Sequence, residues 1–171
     1  IAAPTASLHF DSKLIKEIKN KGINYCFLTL HVGIGTFNPV RSENINDHKM
    51  HSEYGEINEE TADMVTRTLK AGGRVIPVGT TSLRILESLD CQNKIVKPFS
   101  GSTDIFIKPG YKFKIASGLI TNFHLPKSSL YILIASFVGL EAAKKYIRML
   151  LIMIIGFFLM ETDRFYFESF N

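Results

Sequence analysis

Cysteine is nearly absent from this chain: Cys26 and Cys91 are the only two in 171 residues. Their separation offers no metal-ligand spacing, which argues against a thiolate zinc site and against a disulfide framework. Reduced thiols in a cytoplasmic protein are the plain expectation, with Cys26 in a buried strand. A secretory leader is not expected either, because IAAPTASLHF has neither a basic start nor an apolar stretch. The first residue is not methionine, so the natural start is expected upstream. No block of Lys and Arg occurs, and a net charge of +4 permits an RNA partner without demanding one. The uncharged run at 149–160 holds twelve residues, whereas a membrane-crossing helix needs about 20. No membrane partner is expected. Internal repeats and interdomain linkers are missing too, which favours one domain.

What is present reads as an ordinary globular core, with 46% apolar and 21% charged residues. Asp11 caps a helix whose stripe is Leu14, Ile15 and Ile18, and Gly22 stops it. Residues 23–31 predict a buried strand that runs into a loop bearing Gly33, Gly35 and Thr36. Asn58, followed by Glu59 and Glu60, predicts a second helix that ends at Gly72 and Gly73. A short strand is expected over 74–78, at an edge or ending early because of Pro77. Gly79, Thr80, Thr81 and Ser82 then lead into a helix that ends near Leu89. The runs DIFIK and YKFKIA flank a turn at Pro109 and Gly110, LITNFHL reads as a further strand, and 126–137 predicts a buried helix starting at a proline. This alternation predicts an α/β fold, a three-layer α/β/α domain with a mostly parallel sheet, over residues 1–146. Residues 147–171 form a separate apolar tail.

Several of these residues have chemistry to offer. A glycine loop after a strand lets backbone amides approach an anion, although a plain turn explains the same residues. The Gly79, Thr80, Thr81 and Ser82 junction is either an anion site at a helix N-terminus or simply a cap. Arg41 and Arg84 follow these two loops, where each could grip a carboxylate or phosphate, or pair with Glu43 or Glu87. His48 and His51 with Glu53 invite a metal reading, but their spacing differs from that of the zinc-hydrolase helix and nothing completes the set. No metal is expected.

The words AAPTASLHF, TLHVGIGTFNPVR, HKMHSEY, VGTTSLRILES, TDIFIKPGYKF and LITNFHLPKSSL occur in that order over about 1–145. As a series they closely resemble the S-adenosylmethionine:tRNA ribosyltransferase-isomerases of queuosine biosynthesis, over roughly the last two thirds of such an enzyme. The resemblance implies a reaction in which S-adenosylmethionine is consumed as a substrate. Its ribosyl part passes to 7-aminomethyl-7-deazaguanine in tRNA and rearranges to the epoxycyclopentane of epoxyqueuosine, while adenine and methionine leave. It further implies acid–base roles for His31, His48, His51 and Glu53. Gly33, Gly35, Thr36, Gly79, Thr80, Thr81 and Ser82 would hold the substrate, with Arg84 on its carboxylate. Asn122 and His124 would line the same cleft, and Arg41 and Lys49 would touch the RNA backbone. No metal is implied, because the sulfonium is already activated. A monomer is expected, and the family's small inserted β-barrel is expected to be largely absent.

Departures from the family pattern are few: Ser7 stands for a glycine, Ser117 for an aspartate, and Pro77 for a small residue. The tail departs more. One choice of codons for residues 147–162, read two bases out of frame, restores an aromatic ending of the form YRFFSYGD, so a shifted frame is expected there. The missing front third would come from an upstream or separately encoded portion. The resemblance therefore leads to a tRNA-modifying enzyme, incomplete or inactive as this chain, and its alternative is a binding module or remnant without retained catalysis.

Overall fold

The structure, a computed structural model, describes residues 5–31, 45, 48 and 50–161, with side chains up to 151. After a 3-10 turn at Thr5–His9 come helix α1 (Ser12–Asn20) and strand β1 (Thr29–His31). Strand β2 (Glu53–Ile57), helix α2 (Glu59–Lys70) and helix α3 (Thr80–Ser88) follow. Beyond a second 3-10 turn lie strand β3 (Phe99–Thr103) and helices α4 (Ser129–Val138) and α5 (Leu140–Glu161).

The predicted caps form as their chemistry requires. Asp11 Oδ1 accepts from Leu14 N at 2.7 Å and opens α1, and Gly22 takes the left-handed conformation that ends it. Asn58 Oδ1 accepts from Thr61 N at 2.9 Å and opens α2. The last predicted helix begins later than expected. Pro126 lies in the preceding turn, while Ser128 caps α4 by accepting from Tyr131 N at 3.1 Å.

The α/β class holds, but the regular sheet is not the mostly parallel one predicted. Among the described residues it has three antiparallel strands in the order β1-β2-β3. Parallel pairing survives as two isolated bridges, Val75 with Ala116 and Val78 with Ile120. Pro77 explains part of this: its carbonyl accepts from Ile120 N at 3.0 Å, but it has no N–H to return to a ladder. The predicted strand at 23–31 also shrinks to Thr29–His31. Ile23, Tyr25 and Phe27 stand exposed, as does Cys26, because no described element covers them. The DIFIK, YKFKIA and LITNFHL runs form no regular strand, although the turn at Pro109 and Gly110 is present.

Helix α3 lies between two apolar clusters. On one side Ile85, Leu86 and Leu89 pack with Ile57, Ala62, Val65, Val96 and Ile115; on the other Leu83 meets Ile107 and Leu133. Gly55 on β2 has no room for a side chain, since a Cβ there would overlap the buried Ile85 Cδ1. Glu87, fully buried, accepts from the backbone N–H groups of Lys114 (2.8 Å), Ile115 (3.0 Å) and Ala116 (2.9 Å), and from the Tyr111 hydroxyl (3.1 Å). Burial, and then the Glu87 carboxylate, push the Tyr111 hydroxyl well above its usual pKa.

The 22-residue α5 runs through the 146/147 boundary set by the sequence. Tyr146, Met149 and Leu151 on it are exposed. No helix among the described residues is long and apolar enough to cross a membrane.

Glu87→Ala is expected to leave three backbone amides, that of Ile115 buried, without their acceptors and to lower the unfolding free energy by roughly 2–4 kcal/mol. Urea denaturation measures this, and Glu87→Gln, which keeps one carbonyl acceptor, should lose less.

Candidate functional site

The parallel bridges decide where a site forms. Both segments, 75–79 and 116–120, point their C-terminal ends the same way, and Gly79 N donates to Ile120 O at 2.8 Å. Helix α3 starts immediately beyond one end, and the segment with Asn122 and His124 emerges beyond the other. Strand ends of this kind leave a crevice in α/β folds. Here it is a cleft of about 550 Å³.

Its floor is the first turn of α3. Gly79 has φ +92, a conformation open to glycine, and α3 has no side-chain cap. The amides of the first turn therefore have no intrahelical acceptor. Gly79, Thr80, Thr81, Ser82 and Arg84 line the cleft together with Asn122 and His124. Seven sequence-predicted residues thus share one space. Thr5, Ser7, Thr121 and Ser128 line it too and were not predicted as site residues, although Ser7 was marked as a departure from the family pattern. Their only signal was a hydroxyl inside a matched word.

Arg84 does not pair with Glu87. It forms a buried ion pair from Nη1 to Glu53 Oε2 on β2, and both residues are 2% exposed. Breaking such a pair leaves one charge uncompensated, at about 3–5 kcal/mol. Glu87, the sequence's suggestion, is taken by backbone amides instead. Arg84 Nε and Nη2 have no hydrogen-bond partner among the described residues.

His124 is half-buried, and its Nε2 lies 3.0 Å from Thr121 Oγ1. Burial holds its imidazole below the ordinary histidine pKa, which favours the neutral ring, able to accept a proton. Asn122 Nδ2 donates to Thr5 Oγ1 at 2.9 Å and joins the cleft's two walls.

The remaining histidines are not in the cleft lining. His31 lies against Tyr54, with centroids 5.9 Å apart, and His48 against Phe106 at 5.2 Å, while His51 is exposed. Glu53 turns inward to Arg84. Among the described residues, no three His, Cys, Asp or Glu side chains converge to hold a metal ion. Gly33, Gly35, Thr36, Arg41 and Lys49 lie outside the described residues.

Comparison with known proteins places these features in context. A family model described as queuosine biosynthesis protein matches residues 1–151. The chain is 57% identical over 140 residues to the S-adenosylmethionine:tRNA ribosyltransferase-isomerase of Clostridium kluyveri, covering 82% of this chain and 41% of that protein. It is 51% identical over 144 residues to the protein of the same name from Caulobacter vibrioides, covering 84% and 39%. Among solved structures, it is similar to the S-adenosylmethionine tRNA ribosyltransferase of Thermotoga maritima. That match has a TM-score of 0.67 and 35% identity and covers 84% of this chain and 44% of the other. The chain therefore spans about 40% of the length of the curated relatives it matches, less than the two thirds the resemblance suggested.

The depressed pKa of His124 has a consequence for stability. Its contribution is present above the unfolded value, about 6.5, and is lost as pH falls through the lower folded value. His124→Gln should accordingly reduce the fall in urea midpoint between about pH 7.5 and about pH 5, relative to the unaltered chain.

Proposed function

Because this chain belongs to the queuosine biosynthesis protein family, we propose that it carries out part of S-adenosylmethionine:tRNA ribosyltransferase-isomerase chemistry, the activity its relatives are named for. The substrates are S-adenosylmethionine and a tRNA carrying 7-aminomethyl-7-deazaguanine; the products are the epoxyqueuosine nucleotide, adenine and methionine. The observation that carries the reading is the cleft at the head of α3, which gathers backbone amides, hydroxyls and a neutral-leaning histidine in one pocket with apolar walls. A volume of about 550 Å³ suits a ligand of nucleoside size.

The sulfonium brings its own electrophilic activation, so the protein's task is to bind, orient and move protons. His124 is the group in the cleft suited to take the proton beside sulfur or to assist the departing adenine, with Thr121 holding its Nε2. Gly79, Thr80, Thr81, Ser82 and Asn122 hold the substrate. Gly33, Gly35 and Thr36 are assigned to the same substrate, and Arg41 and Lys49 to the RNA backbone, whose contacts position without reading sequence.

The test joins this chain to the N-terminal portion of its Clostridium relative and supplies both substrates. The joined protein is expected to release adenine, measured by chromatography, and His124→Ala should slow release by about 100-fold or more. A joined protein that folds and binds S-adenosylmethionine yet releases no adenine would overturn the reading in favour of a binding module.

A further inference from the structure

One stretch of the cleft wall is apolar and faces solvent. Phe123 and Leu125 line the cleft, yet they are 62% and 81% exposed. Neither belongs to the apolar clusters beside α3. Phe123 makes no ring contact among the described residues. It is also the one phenylalanine, tyrosine or tryptophan among the residues that line the cleft.

The backbone on both sides of this ring is tied down. Ile120 N donates to Pro77 O at 3.0 Å, and Ile120 O accepts from Gly79 N at 2.8 Å. Asn122 Nδ2 donates to Thr5 Oγ1 at 2.9 Å, and His124 Nε2 lies 3.0 Å from Thr121 Oγ1. Ser128 Oγ donates to Leu125 O at 2.7 Å. The phenyl ring is thus carried on an anchored segment between two polar cleft residues, so little ordering is left for a ligand to impose. No Asp or Glu lines the cleft, and no carboxylate there repels a phosphate brought in beside the ring.

A planar base is the chemistry such a ring takes, because every base has a π-face. The functional reading brings two bases to this cleft, the adenine of the sulfonium substrate and the deazaguanine of the RNA. Exposure separates them. The small substrate is held at the polar head of α3, whereas a nucleotide still joined to RNA comes in across the solvent-facing rim. To reach His124 it leaves the stack of its neighbours, and a ring at the rim replaces the stacking it loses.

We propose that Phe123, with Leu125 two positions on, is the stacking platform for the reacting base of the RNA substrate at the mouth of the cleft. Phe123 is then a substrate-binding residue with no part in proton transfer. The inference rests on the functional reading above but goes further, giving the RNA a contact to a base in addition to contacts to its backbone.

The 171-residue chain contains no tryptophan, so Phe123→Trp places a single fluorescent reporter at the ring itself. Two labelled RNA hairpins are compared, one with 7-aminomethyl-7-deazaguanine in its loop and one abasic at that position. By fluorescence anisotropy the unaltered chain should bind the first about 5- to 100-fold more tightly, the worth of one stacked base. Phe123→Leu, which lacks a π-face, should lose most of that preference. Phe123→Trp should keep it and be quenched by the first hairpin and not the second. Affinity for S-adenosylmethionine should be the same in all three. Equal affinity of the unaltered chain for the two hairpins would overturn the platform, and that comparison requires no variant to fold. An undiminished preference in Phe123→Leu would do the same. Quenching of Phe123→Trp by S-adenosylmethionine, with weaker binding of it by Phe123→Leu, would give the ring to adenine and overturn the RNA assignment. In each of these cases binding of S-adenosylmethionine leaves the functional reading standing. A folded, unaltered chain that binds neither hairpin nor S-adenosylmethionine would overturn both.

Discussion

The carboxylate of Glu87 accepts hydrogen bonds from three consecutive backbone amides, those of Lys114, Ile115 and Ala116, while sitting at the inner end of α3. A negative charge near a helix C-terminus is ordinarily unfavourable. Here the amides answer it, and they tie α3 to the segment that bridges Val75. Because the opposite end of the same short helix is the floor of the cleft, the tie sets where the first-turn amides point. The two apolar clusters on either side of α3 then lock its rotation.

Helix α3 therefore carries two buried charges with different duties. Glu87 spends its oxygens on the scaffold. Arg84, one turn earlier, spends one nitrogen on β2 and faces the cleft. Both strand-end loops and the helix head converge because two parallel bridges, rather than a full ladder, align 75–78 with 116–120. The parallel sheet expected from the alternation of elements is thus reduced to the part that places Asn122 and His124 beside Gly79.

Which features were legible in the sequence follows from what makes each element form. The helices were legible because their caps are side-chain chemistry: Asp11, Asn58 and the glycines at 22 and 79 mark boundaries directly. Strands β2 and β3 were not. The inward positions of β2 are Glu53, Gly55 and Ile57, and those of β3 include Gly101 and Thr103, so neither strand shows apolar alternation. The exposed Ile23, Tyr25 and Phe27 erred the other way, looking buried because apolar residues are read as core. In the cleft, glycine, threonine and histidine positions could be read from the matched words. The Arg84 to Glu53 pairing could not, since the two lie 31 positions apart and nearer acidic residues offered themselves.

Gly55 and Ile85 contend for one volume in the core. That makes the order of their replacement matter over evolutionary time. A lineage that first trims residue 85, for instance to alanine, removes both carbons that crowd position 55 and opens space into which alanine there can later enter. The reverse order passes through an intermediate with an overfilled core. The two sites should therefore drift as a linked pair, with history written into which member changed first.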